Sequence, residues 1–127
     1  MINEMRWAAI MCKVAEQDPK TGTAREVFHA ATVAGARALN RDDLGRLAPG
    51  CKADIVMVNL DKPHALPLRD PFKFMVFAAS SADVDTVIID GRTVMLERKL
   101  LYCDLPAALG KLREAITRVH ERVNFPE

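Results

Sequence analysis

At 127 residues, with 50% hydrophobic and 28% charged side chains, the chain is long enough for one domain with a modest core and too apolar for disorder. A net charge of +1, with basic residues scattered, gives no electrostatic case for nucleic acid or an anionic membrane. No apolar run approaches the roughly 18 residues of a membrane span. Asn3, Glu4 and Arg6 interrupt any leader-like core, and Cys12, Cys51 and Cys103 form no disulfide framework, so a reducing cytoplasm is expected.

The spacing predicts a first helix over Met1 to about Glu16. Ile2, Met5, Ala9 and Cys12 share one stripe, while Trp7, Ile10, Met11 and Val14 occupy other faces. A surface helix carries a polar face, so one this apolar is expected to pack on more than one side. No residue precedes it to cap it. Gln17 to Gly22 reads as a loop. Thr23-Ala-Arg-Glu26 has the capping-box form and opens a helix predicted to end between Thr32 and Gly35. A second short helix follows to Leu39, with Gly35 admitting a close neighbour and Asn40 as a left-handed terminator.

Pro49-Gly50 marks a turn, and Asp54 to Leu60 a strand. The unbroken run Ile55 to Val58 predicts a strand covered on both faces. After a loop with Pro63 and Pro67, Asp70-Pro71 starts a short helix reaching about Ala79. Val84 to Ile89 and Arg92 to Leu96 read as a hairpin around Asp90-Gly91, and Leu100 to Cys103 as one more extended piece. Asp104 caps a last helix in which Leu105, Leu109, Leu112, Ile116, Val119 and Val123 form one stripe. Asn124 to Glu127 reads as a frayed tail.

The chain offers little that reads as chemistry. His29, His64 and His120 lie in different elements, with no His-x-His pair, and no metal ligands are assigned. His29 and His120 read as helix-surface residues, and His64 as a loop residue bonded to backbone. Ser80 and Ser81 are helix-end residues, and no nucleophile elbow occurs. Cys12 reads as a packing residue, and Cys51 as a turn residue beside Lys52. Asp83 and Asp85 read as solvated strand-edge carboxylates, and most of the six methionines as core. No catalytic or cofactor-binding residue is assigned.

The run Gly45-Arg-Leu-Ala-Pro-Gly-Cys-Lys-Ala-Asp-Ile55 closely resembles the amidohydrolase superfamily, whose signature falls here on Gly45, Leu47, Gly50, Ala53, Asp54 and Ile55. The group most similar contains cytosine deaminase, S-adenosylhomocysteine deaminase and triazine chlorohydrolase. The resemblance extends through Ala31 to Leu39, Pro67 to Pro71 and Val84 to Val94, and Met1 to Arg6 resembles the helix after the family's last barrel strand. It implies an α+β segment: terminal helices of a (β/α)8 barrel plus part of a small β-sandwich composite domain. The implied divisions are 1–43 (barrel end), 44–103 (β-rich segment with an inserted helix near 71–79) and 104–127 (closing helix).

The resemblance also implies a metal-dependent hydrolase acting on C–N or C–halogen bonds of a heterocycle, with zinc or iron in the full-length family. The family's metal ligands precede the matched segment, so this chain is expected to be inactive alone. Its apolar first helix then needs cover, from the missing barrel portion or by self-association. The alternative is a stand-alone, non-enzymatic oligomerising module derived from such a hydrolase. Asp54 is expected to be a structural acceptor for backbone donors near the turn.

Overall fold

A computed structural model of the chain describes residues 1–123, so the tail predicted at Asn124 to Glu127 lies outside the described residues. The first helix, α1 (Ile2–Glu16), starts with no side-chain cap and ends at Gln17 in the left-handed region. Met5 and Ala9 are buried, whereas Trp7, Met11 and Val14 are 64%, 58% and 64% exposed. The apolar circumference is therefore present, but one side of it has no cover among the described residues. Cys12 is exposed as well. The Lys13 ammonium ties the following loop back by donating to the carbonyls of Thr21 and Gly22.

The capping box forms as its spacing predicts. The Glu26 N–H donates to Thr23 Oγ1 at 3.4 Å, and the Thr23 N–H to the Glu26 carboxylate at 2.8 Å. The helix does not stop between Thr32 and Gly35. A π-helical segment (Ala30–Ala34) joins α2 (Ala24–His29) to α3 (Gly35–Ala38). The Thr32 hydroxyl donates back to the Phe28 carbonyl at 2.8 Å, a bond that favours a distorted turn. A Cβ on Gly35 would lie 3.1 Å from the Ala30 carbonyl oxygen, so this glycine serves the helix's own widened turn. The close approach belongs to Gly45. Its φ is +79°, and a Cβ there would sit 2.6 Å from the Thr32 carbonyl oxygen.

Four strands form one antiparallel sheet in chain order: β1 (Ile55–Val58), β2 (Val84–Ile89), β3 (Arg92–Leu96) and β4 (Lys99–Leu100). Asp90 and Gly91 both have positive φ, as a two-residue hairpin turn requires. Glu97 and Arg98 make a second such turn, which their identities do not announce. The Arg98 guanidinium offsets that strain by donating to the carbonyls of Ala82 and Val84 at 2.7 and 3.0 Å. The expectation that β1 is covered on both faces fails within these residues. Val56 and Met57 are 56% and 53% exposed, because helices and loops reach Val58 but leave the middle of the strand open.

Between β1 and β2 lies α4 (Pro71–Lys73), continued by a second π-helical segment (Phe74–Ala78). Asp70 caps it through the N–H groups of Phe72 and Lys73. One core cluster joins Met5 and Ala9 of α1 to Ala24, Val27 and Val76; a second holds Ala65, Phe74 and Ala79, and Ile2 packs against both. Met5 is the one methionine in the buried core, so the predicted use of methionines as core does not hold. The last helix, α5 (Leu105–Arg122), is capped by Asp104 as predicted, but none of its residues is buried.

The signature residues act as stitching. The Asp90 N–H donates to Asp54 Oδ1 at 2.7 Å, the Gly91 N–H to the Ala53 carbonyl at 3.0 Å, and Lys52 Nζ to Asp90 at 2.9 Å. Asp54 is thus a structural acceptor, serving the hairpin 36 residues away and not the Pro49-Gly50 turn. Replacing Asp54 with Ala is expected to lower unfolding free energy by about 1 kcal/mol, read by urea titration. Gly45→Ala is expected to cost more, roughly 2 kcal/mol or above, since both φ and the Thr32 carbonyl oppose a Cβ. An unchanged melting temperature for Gly45→Ala would contradict the close approach.

Candidate functional site

The most developed polar cluster is centred on Asp83, whose side chain is 1% exposed. Ser80 to Asp83 forms a tight turn before β2. The Ser80 N–H and hydroxyl both donate to Asp83 Oδ2, at 2.8 and 3.1 Å. Two cationic or polar groups come from the loop after β1. Lys62 Nζ donates to Oδ1 at 2.8 Å, and His64 Nε2 lies 3.0 Å from Oδ2. The Lys62 ammonium, then the Ser80 N–H, then His64 and the Ser80 hydroxyl hold this carboxyl far below the usual Asp range, against the opposing cost of desolvation.

Sequence spacing misplaced this residue. Asp83 is not a solvated strand-edge carboxylate; it precedes the strand and is buried, while Asp85 is half-buried and accepts from Thr86 Oγ1. The Ser80-x-x-Asp83 spacing was the legible signal, since it is a capping-box form. His64 also departs from expectation, because its partner is a carboxylate rather than backbone. Its ring stacks on Phe74 at 6.1 Å between centroids.

His64 borders an open cleft of about 340 Å³ lined also by Pro67, Arg69, Asp70, Lys73 and Phe74. A second, more apolar groove of about 430 Å³ runs between α1 and α2, lined by Met5, Ala8, Cys12, Val27 and Ala31. Neither holds a donor set for a metal. Among the described residues no three His, Cys, Asp or Glu side chains converge. His29, on α2, and His120, on α5, join no such set, and both oxygens of Asp83 are committed to protein donors. Cys51 is half-buried in its turn, and its neighbour Lys52 is engaged with Asp90. The Asp83 cluster can bind loop to sheet; it cannot present a vacant ligand.

The sequence matches the amidohydrolase family over residues 1–94. The chain belongs to the amidohydrolase family. It is 40% identical over 122 residues to a 5-methylthioadenosine/S-adenosylhomocysteine deaminase of Pelotomaculum thermopropionicum, covering 96% of this chain and 28% of that protein. A 5′-deoxyadenosine deaminase of Methanothermobacter thermautotrophicus is 47% identical over 100 residues, or 79% of this chain and 23% of that one. The crystal structure of a zinc-bound adenosine deaminase from Xanthomonas campestris superposes with a TM-score of 0.91 at 32% identity, over 95% of this chain and 28% of that one. A zinc complex of atrazine chlorohydrolase from Arthrobacter aurescens superposes at 0.82 with 25% identity, over 91% and 26%. The chain thus covers only 28% and 29% of the lengths of two of the deaminase relatives it matches. Its mixed helices and small sheet match the fold of these neighbours.

The buried carboxylate makes stability acid-sensitive in a stated direction. The folded pKa of Asp83 is lowered, so its contribution is full above the ordinary value of 3.8 and drains as pH falls toward the lowered one. Asp83→Asn is therefore expected to be less stable than the parent by about 2–3 kcal/mol near neutrality, with the gap closing below about pH 4. Urea titrations of both proteins across that range read it; a gap independent of pH would contradict the ionised network.

Proposed function

We propose that this chain is the closing segment of a metal-dependent amidohydrolase that removes the amino group from an adenosine-type nucleoside. The alignment of 96% of the chain with 28% of a deaminase, at 40% identity, carries the reading. Amino removal is favoured over halogen removal because the deaminase relatives are 40–47% identical and the atrazine chlorohydrolase is 25% identical. The residues present do not fit a metal, so the zinc or iron of the whole enzyme is held elsewhere, and this segment is scaffold.

In this reading residues 1–43 form the barrel's closing helices, 44–103 the β-rich part of the composite domain and 104–127 a closing helix. The open side of α1 and the exposed centre of β1 support it, because both are apolar surfaces that lack cover within the described residues. The enzyme is assigned to the cytoplasm; among the described residues no helix is long and apolar enough to cross a membrane. The alternative of a stand-alone oligomeric module draws on the same exposed faces and requires a stable assembly of this chain alone.

The purified chain is expected to bind no stoichiometric zinc or iron and to release no ammonia from S-adenosylhomocysteine or 5′-deoxyadenosine. A chimera in which it replaces the matching segment of the Pelotomaculum deaminase is expected to recover both metal and ammonia release. Turnover by the isolated metal-loaded chain would overturn its assignment as scaffold. A folded chimera with neither metal nor activity would overturn the deaminase assignment.

A further inference from the structure

We infer that the open cleft beside His64 binds a small phosphomonoester carrying a flat ring, its phosphate held by Arg69 and Lys73 and its ring laid on the His64–Phe74 stack. Only residues of this chain take part, so the site does not depend on the deaminase assignment. The cleft, of about 340 Å³, has the size of a small-molecule pocket, and a bare phosphate would fill only part of it. Both of its walls are fixed before any ligand arrives. One is the loop after β1, where the Asp83 carboxylate holds Lys62 Nζ at 2.8 Å and His64 Nε2 at 3.0 Å. The other is the turn into α4, where Asp70 Oδ1 accepts from the N–H groups of Phe72 and Lys73 at 2.9 and 3.2 Å. Walls already held in place lose less freedom on binding.

Charge and shape name the ligand. Arg69 and Lys73 both line the cleft, and among the described residues neither cationic head has a hydrogen bond or ion pair within the chain. The neighbouring cations are already engaged, Lys62 with Asp83 and the Ala82 carbonyl, Arg98 with the carbonyls of Ala82 and Val84. Asp70 is the one acid on the lining and its Oδ1 serves the backbone, which leaves the cleft net positive and the free donors on side chains. A guanidinium fork with a separate ammonium matches a dianion with three free oxygens; a carboxylate offers one charge and two oxygens. The ring follows from His64. Its imidazole lies on Phe74 at 6.1 Å between centroids with 25° between planes. Phe74 is buried, while the His64 side chain is 46% exposed, so Phe74 backs a flat polar ring on the border of the cleft. Such a ring is a stacking platform for another.

The test titrates the full chain with phenyl phosphate, inorganic phosphate and benzoate in a phosphate-free buffer of low ionic strength, read by calorimetry and by amide NMR shifts. Phenyl phosphate is expected to bind with a Kd of about 1 mM or tighter, with shifts gathered between Lys62 and Phe74. Phosphate and benzoate are each expected to bind at least about 5-fold more weakly. Arg69→Gln with Lys73→Gln is expected to weaken phenyl phosphate at least about 10-fold. Lys99→Gln on β4, which removes a charge outside the cleft, is expected to change it less than about twofold. Benzoate binding as tightly as phenyl phosphate, or an equal loss from Lys99→Gln, overturns the site, because a diffuse cationic surface gives both results. Lack of saturable binding up to about 10 mM overturns it as well. Calorimetry on the Pelotomaculum chimera separates this site from the proposed function, and carries the titration should the isolated chain not hold its fold. An active chimera that does not bind phenyl phosphate overturns the site, since the preceding polypeptide then occupies the cleft, and leaves the deaminase reading standing. A folded chimera without metal or activity that still binds it leaves the site standing and removes only the deaminase reading.

Discussion

A single buried carboxylate sets the relation between the sheet and the loops that link it to the helices. Asp83 gives up hydration almost completely, so its charge must be met by protein donors. Ser80 supplies two of them from the same turn, which fixes how the chain enters β2. Lys62 and His64 supply the others from the loop after β1, which fixes where that loop lies. With the loop placed, Ala65 beside His64 is buried against Phe74 and Ala79, and that cluster meets α1 through Ile2. Arg6 of α1 adds a bond to the Ala79 carbonyl at 3.0 Å. Remove the carboxylate and each of these placements loses its reference point.

The surroundings of this hub are thin. The buried apolar residues are mostly small, four of them alanines among Met5, Val27, Phe74 and Val76, with Ala36 a fifth. Alanine-rich contacts allow helices and loops to approach closely but remove little area from water each. Large side chains point outward instead: Trp7, Met11 and Val14 on α1, Val56 and Met57 on β1, and the stripe of α5. Polar bonds and close backbone contacts set the geometry, and apolar surface that ordinarily supplies the stability of a domain is left available at the periphery. That distribution supports the proposed reading of the chain as a segment whose apolar faces are covered by other polypeptide.

Local signals were legible in the sequence where the chemistry is local. Thr23 with Glu26, Asp70 with Pro71, Asp90 with Gly91, and Asp104 each act within a few residues, and each stands where its spacing predicts. Most of the misses are long-range. The buried state of Asp83 depends on Lys62 and His64, about twenty residues earlier, and nothing in the spacing of Asp83 and Asp85 reports them. The continuation of α2 through a π-helical turn depends on the Thr32 hydroxyl bonding back to Phe28, while Gly35 read in isolation suggests an end. The turn at Glu97-Arg98 is held by Arg98 reaching the Ala82 and Val84 carbonyls at the entry to β2, so its cause again lies outside its own dipeptide. Apolar runs, finally, report that a face is to be covered but not by what, which is why Ile55 to Val58 reads as fully buried and is half open.

The same distinction separates signature from site. A run as specific as Gly45 to Ile55 invites a catalytic reading, and Asp54 is its natural candidate. Its bonds answer otherwise. Gly45 lets the chain pass over the Thr32 carbonyl where no side chain fits, and Ala53 and Asp54 clamp the Asp90-Gly91 hairpin at the start of β1. Lys52 reinforces the clamp by pairing with Asp90, and its N–H donates to the Asp43 backbone carbonyl at 2.8 Å, while the Asp43 carboxylate is taken up by the guanidinium of Arg41. Gly45 and Asp54 are thus fixed by backbone geometry, the first by its positive φ and close approach, the second by its side-chain bond to the hairpin. Such a run marks a family as surely as a ligand set does. Here it records how the helices hand over to the sheet.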